Sequence, residues 1–265
     1  MMSRLINKTF QALFTIFFIC TILFMALIFS ALFFFGDYSS FLTILMDEEF
    51  KFAVFFTGWT TILATSIAFF IGIPTSYVLS RKKFKGKGLA ETLIDIPIVL
   101  PPLVSGIALL IFFGPLIGDE LGKIGIDIVF TKWGVVIAQT FIALPFAIRA
   151  FKQAFDSIDT RYENIARTLG YTPYQVFIKV TIPMAKGGII NGVTMAWART
   201  LGEFGATAML AGITRLKTET LSVAIFLNMS IGDFDFAIVI SIIMLIAALS
   251  VLYIVKLMTR WERSF

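Results

Sequence analysis

Hydrophobic positions along this chain fall in long unbroken runs rather than in alternation. Six runs, over about 11–35, 52–79, 93–113, 134–155, 187–211 and 236–257, are long enough to cross a bilayer as helices, which takes roughly 20 residues each. Barrel strands would instead alternate apolar and polar side chains over about 10 residues. The pattern predicts an all-α membrane protein, a single transmembrane domain over 1–265. The first run follows Arg4 and Lys8 as a signal peptide would. It is longer than a secretory apolar segment of about 7–15 residues, and no small-residue cleavage site follows, so it reads as a retained helix.

Composition agrees and removes other classes. Hydrophobic residues make up 58% of the chain and charged ones 15%, and thirty Phe residues are too many for an ordinary soluble core. A soluble domain averages roughly 25% charge. Histidine is absent, which removes the commonest general base and metal ligand near neutral pH. The one cysteine, Cys20, lies in the first run. It reads as a small buried hydrophobe, with no disulfide framework and no Cys/His zinc site.

The net charge of +5 is explained by placement. With the N-terminus inside, Arg4, Lys8, the cluster Arg81, Lys82, Lys83, Lys85 and Lys87, the segment 149–186 and the tail Lys256, Arg260 and Arg263 share one side. They hold sixteen of the twenty-two Lys and Arg. Five cations, Lys51, Lys123, Lys132, Arg215 and Lys217, lie opposite, with Asp37, Asp47, Glu48, Glu49 and six further acids. The asymmetry predicts cytoplasmic termini and attraction to lipid headgroups, with no nucleic-acid partner.

The inside loop 156–186 carries its own helix signals. Thr160 and Glu163 fit a capping box, after which Tyr162, Ile165, Ala166 and Leu169 share a face. Gly170 suits a left-handed stop. Thr172-Pro173-Tyr174-Gln175 starts a second helix, with Val176, Phe177 and Val180 on its apolar side, and Pro183 closes it. An interfacial helical hairpin without a partner fits this pattern as well.

Within the runs, Pro97, Pro101 and Pro102 interrupt helix bonding, either as a packing kink or where backbone lines a cavity. Gly188, Gly192 and Ala196, then Ala198, Gly202 and Ala206, form small-residue rows for close packing or for a moving seam. Arg199 and Glu203, four apart, can pair on one helix face, as a structural ion pair or as part of a gate. Asp95 reads as interfacial.

Several stretches resemble the permeases of ABC importers. Glu163-Asn164-Ile165-Ala166-Arg167-Thr168-Leu169-Gly170, with Val180-Thr181-Ile182-Pro183, is similar to their Glu-Ala-Ala loop. In strict register Asn164 and Ile165 depart from Glu-Ala, and Glu163 sits one position early. Asp95-Ile96-Pro97-Ile98-Val99-Leu100-Pro101-Pro102-Leu103-Val104-Ser105-Gly106 and Ala198-Arg199-Thr200-Leu201-Gly202-Glu203-Phe204-Gly205-Ala206-Thr207 resemble the molybdate/tungstate branch. The resemblance covers about 72–237.

That resemblance implies a six-span, type I importer permease in the cell membrane, working as a homodimer. It implies an ATPase-coupling loop through Glu163, Ala166, Arg167, Gly170, Pro173 and Pro183. It implies a pathway or gate near Pro101, Pro102, Ser105, Arg199, Glu203 and Gly205. The implied partners are a cytoplasmic ABC ATPase dimer, a second copy of this chain, and an extracytoplasmic oxyanion-binding protein, in membrane lipid. No phosphate-loop motif is present, so the chain is not an enzyme by itself. It binds no cofactor or metal, and ATP and Mg belong to the partner ATPase. A sulfate/thiosulfate permease is the nearest alternative. An ion-driven secondary transporter would want inverted repeats and midplane acids, an intramembrane enzyme would want paired catalytic groups, and a scaffold would leave the loop without a purpose.

Overall fold

The computed structural model describes residues 2–35 and 41–262, with side chains over 10–35 and 41–257. The charges of Arg4, Lys8, Asp37, Arg260 and Arg263 lie outside the described side chains. All regular structure among the described residues is helical. Five helices are long and apolar enough to span a membrane, and a bent pair is together apolar enough for a sixth span or a re-entrant loop.

The chain runs through α1 (Met2–Phe35), α2 (Phe41–Met46), α3 (Glu48–Arg81), α4 (Lys87–Val99), α5 (Pro102–Ile111), α6 (Gly118–Lys123) and α7 (Lys132–Asp156). It continues through α8 (Thr160–Thr168), α9 (Pro173–Val176), α10 (Ile182–Leu201), α11 (Gly205–Ala211), α12 (Leu221–Ile231) and α13 (Phe234–Glu262). Asp47 caps α3 by accepting the Glu49 N–H at 2.7 Å. The basic loop ends at Gly86, left-handed at φ 87°, where α4 begins.

The centre is the trio α3, α7 and α10. Ala68, Ala143, Ala147, Phe151, Phe155, Ile189 and Ala196 are buried there. Lipid tails are as apolar as leucine, so close contact rather than water exclusion holds such helices together. Gly72 and Gly192 supply it from opposite sides of one ring. A Cβ at Gly72 would sit 3.1 Å from Phe151, and one at Gly192 2.6 Å from it. Gly188 likewise abuts Ala154. The second small-residue row does not form one face, because α10 stops at Leu201 and Gly202 has no close neighbour outside its own turn.

Four features differ from the sequence-based expectation. The third run is two helices, the segments Lys87–Val99 and Pro102–Leu116, bent by 113° at the prolines. The fifth breaks at 202–204 before α11, and the following stretch holds α12, which its 11 residues were too short to announce. Pro183 does not end a helix. The chain stays helical from Pro173 to Leu201 through a wide turn over Phe177–Thr181, where the Ile182 N–H reaches the Phe177 carbonyl. That extra residue per turn makes room for the proline ring. Finally, Cys20 is exposed rather than buried, because α1 lies along α13 and stands away from the central trio.

Candidate functional site

The loop after α7 is a rigid hairpin. Its first helix is capped by Asp159, whose carboxylate accepts the Arg161 N–H at 2.9 Å. Thr160, the expected cap, lies inside the helix, one residue past the observed one. Glu163 does not reach back to the cap because other groups claim it. It is 2% exposed and accepts from Arg81 Nε at 2.8 Å and from the Thr181 hydroxyl at 3.1 Å, with Arg167 3.6 Å away. Arg81 also donates to the Ile158 carbonyl at 3.3 Å. One carboxylate therefore ties the hairpin to the end of α3 and to the turn leading into α10.

Gly170 ends α8 at φ 88°. The Gly170 N–H bonds Arg167 O at 3.0 Å and the Tyr171 N–H bonds Ala166 O at 3.1 Å, the paired closure that a left-handed residue permits. Pro173 then opens α9, and both halves of the Thr172–Gln175 capping box are made, at 2.9 and 3.3 Å. Val176 is fully buried, and Phe177 meets Tyr77, ring centroids 4.8 Å apart. Pro183 sits in the first turn of α10. The face expected on α8 is divided: Ala166 turns inward, while Tyr162, Ile165, Leu169 and, from α9, Tyr174 stand exposed. Arg167 is about half exposed.

A second constellation lies where the bent third span crosses the broken fifth. Pro101 and Pro102 open α5. A Cβ on Gly205 would come within 2.9 Å of Pro102, and one on Gly106 within 2.7 Å of the Ala206 backbone. The two motifs, about a hundred residues apart in sequence, thus touch backbone to backbone. Glu203 lies in the break, 1% exposed. One carboxylate oxygen accepts the Ala206 N–H at 2.8 Å, capping α11, and the other pairs with Arg199 at 2.9 Å. Arg199 remains a quarter exposed, and its guanidinium lies 5.9 Å from the centre of the Phe146 ring. Ser105 and Thr207 are buried with unpartnered hydroxyls.

Three further polar residues belong to this region. Gln139 of α7 donates to the Thr200 carbonyl at 3.5 Å, and the Thr65 and Thr200 hydroxyls are 3.4 Å apart. Gln139 could have been singled out from sequence, as an amide inside an apolar run. The threonines could not, since a helical hydroxyl commonly satisfies itself on its own preceding turn. Asp95 forms a two-point ion pair with Arg149, at 2.7 and 2.8 Å, joining α4 to α7. Among the described residues no group of three metal-ligating side chains converges.

The sequence profile of the family described as binding-protein-dependent transport system inner membrane component matches residues 68–263. The chain belongs to this family. It is thus a multi-pass inner-membrane permease component of an ABC transporter. It is 36% identical over 214 residues to a molybdenum transport system permease of Mycobacterium bovis, covering 80% of this chain and 81% of that one. A probable molybdenum ABC transporter permease of Haloferax volcanii is 39% identical, over 76% and 73% of the two chains. A sulfate transport system permease of Escherichia coli is 33% identical, over 72% and 70%. The fold is shared with a chain of a bacterial alginate ABC transporter, at a TM-score of 0.70 and 18% identity over 93% of this permease and 95% of that chain.

Proposed function

We propose that this permease, as one of two copies, forms the pathway of an ATP-driven importer for molybdate or tungstate. The observation that carries the coupling half is the exposed apolar face of Tyr162, Ile165 and Leu169 on a hairpin pinned by the buried Glu163. Such a face suits the groove of a cytoplasmic ATPase, and the pinning lets nucleotide-driven closure move α3 and α10 as a unit. Glu163, Ala166, Arg167, Gly170, Pro173 and Pro183 build the hairpin. ATP and Mg would be used by that ATPase dimer, and this chain would hold no cofactor. Recognition of the anion is left to an extracytoplasmic binding protein, with both permease termini in the cytoplasm.

The cargo reading is supported by relatives named for molybdenum transport and by the Pro101–Pro102 and Glu203–Gly205 stretches. We place the gate at their contact, with Ser105 on one stretch and the Arg199–Glu203 pair beside the other. Arg199 attracts an anion, but its ion pair with Glu203 largely cancels that charge, which suits passage rather than tight holding. Sulfate or thiosulfate is the second reading, favoured by the sulfate permease relatives. Uptake by the reconstituted complex, with molybdate, tungstate and sulfate as competitors, decides between them. Molybdate and tungstate should each suppress uptake of the other. Equal competition by sulfate at the same concentration overturns the assignment, and loss of all ATPase co-purification overturns the importer reading.

A further inference from the structure

At the end of α3 remote from the hairpin, four polar side chains from three elements interlock. Glu49, in the first turn of α3, accepts from Arg215 at 2.7 Å and from the Asn228 amide of α12 at 2.7 Å. Arg215 also donates to the Asn228 side-chain carbonyl at 3.2 Å. Beneath them lies Glu219, fully buried, in the loop 212–220. Its Oε2 accepts the Leu216 N–H at 2.9 Å, across a turn in which Leu216 itself is left-handed at φ 55°. Its Oε1 is buried with no donor, although the Glu49 carboxylate lies within hydrogen-bonding reach.

Two carboxylates within hydrogen-bonding reach of one another cannot both be bare acceptors without strong repulsion in a desolvated site. We propose that Glu49 and Glu219 share one proton, donated from Glu219 Oε1 to the Glu49 carboxylate, and that this proton clamps the loop 212–220 onto the head of α3. The surrounding charges do not replace it. Among the described residues Arg215 is the one cation in contact, and it is already committed to Glu49 and Asn228. Lys51 is turned to the Met46 carbonyl, Asp47 caps α3, Asp233 caps the start of α13, and Glu48 and Lys217 point to solvent.

Burial, opposed by the Leu216 N–H and reinforced by Glu49, pushes the Glu219 carboxyl up from 4.5 to about 7. A raised carboxyl pKa means that the seated loop keeps a proton that the released loop gives up. The clamp is therefore fully present below about pH 4.5 and is lost as pH rises through about 7. Its release matters to the rest of the permease because α12 follows the loop directly. Leu221 N–H bonds the Thr57 hydroxyl at 2.8 Å, Ser222 bonds the Leu201 carbonyl at 3.2 Å, and Phe226 lies against Phe204, centroids 4.8 Å apart. A proton at this end of the bundle is thus mechanically connected to the break that carries Glu203.

Infrared titration of the purified chain in lipid nanodiscs tests the proposal, and there both faces meet the same buffer, so neither orientation nor the ATPase partner enters. A carboxylic-acid band should titrate near pH 7 and be absent in Glu219→Gln. Glu49→Gln, which offers an amide donor instead of a repelling charge, should lower the midpoint by roughly one pH unit or more. A band that persists in Glu219→Gln, titrates in the ordinary carboxylate range, or is unmoved by Glu49→Gln overturns the shared proton. Should Glu219→Gln fail to reconstitute, the midpoint of Glu49→Gln decides alone.

Discussion

Glu163 carries more of this molecule than its one charge suggests. A buried ion pair is weak evidence of net stability, but removing one partner strands the other, typically at a cost of about 3–5 kcal/mol. Glu163→Ala would leave Arg81, itself only 11% exposed at its side chain, with the neutral Ser80 hydroxyl and Ile158 carbonyl in place of its carboxylate. A lowered thermal midpoint of the purified permease is expected, together with ATPase activity no longer matched by uptake. An unchanged midpoint would mean that Arg81 finds another partner. Gly170 makes a different case, since nothing lies within 4 Å of its missing Cβ and the constraint is purely conformational. Gly170→Val should cost upward of about 1–2 kcal/mol of hairpin stability and uncouple ATP hydrolysis from transport, with full expression retained. Gly170→Asn, which tolerates the left-handed region, should keep most of the coupling.

Among the elements, the crossing of α5 and α11 is the tightest test of packing. Gly106→Val would drive a side chain into the Ala206 backbone, which cannot yield as a flexible side chain would. Loss of folded permease in detergent is expected. Gly58→Ala on α3 is the control, because its Cβ meets open space and alanine favours the helix by about 1 kcal/mol. Its thermal midpoint should hold or rise, and a fall would show that α3 needs flexibility there. The helices also show what patterning can and cannot reveal. Gly170 and the Thr172–Gln175 box are local devices, readable because each bond spans a few residues. The cap at Asp159 was misplaced by one position because Glu163, the expected capping partner, is claimed by Arg81, eighty-two residues away. The continuous helix through Pro183 was hidden for a related reason. A wide turn that accommodates proline has no residue signature of its own.

For the whole molecule, the exposed Tyr162, Ile165 and Leu169 predict a partner rather than a stabilising role. A charged replacement such as Ile165→Glu should leave the permease folded while removing the ATPase from the purified complex. Retention of the ATPase would place its docking site elsewhere. The contact between the Pro101–Pro102 and Gly205 stretches belongs to this scale too, since no local rule joins segments so far apart. The same holds for Glu49 and Glu219, which looked like scattered acids outside the spans until α12 brought their loop back onto α3.

The amino-acid sequence by itself determined that this protein lives in lipid, in long apolar helices, because bilayer thickness converts directly into run length. It also determined the two-helix hairpin, because caps and a left-handed glycine act over one or two turns, and the resemblance to the importer permeases that the family match bears out. Tertiary structure alone decided which face of α8 stays exposed, where the third and fifth spans break and meet, and which buried carboxylates find a cation. Those outcomes depend on which distant groups share a low-dielectric space, and that is a property of the packed chain rather than of any segment within it.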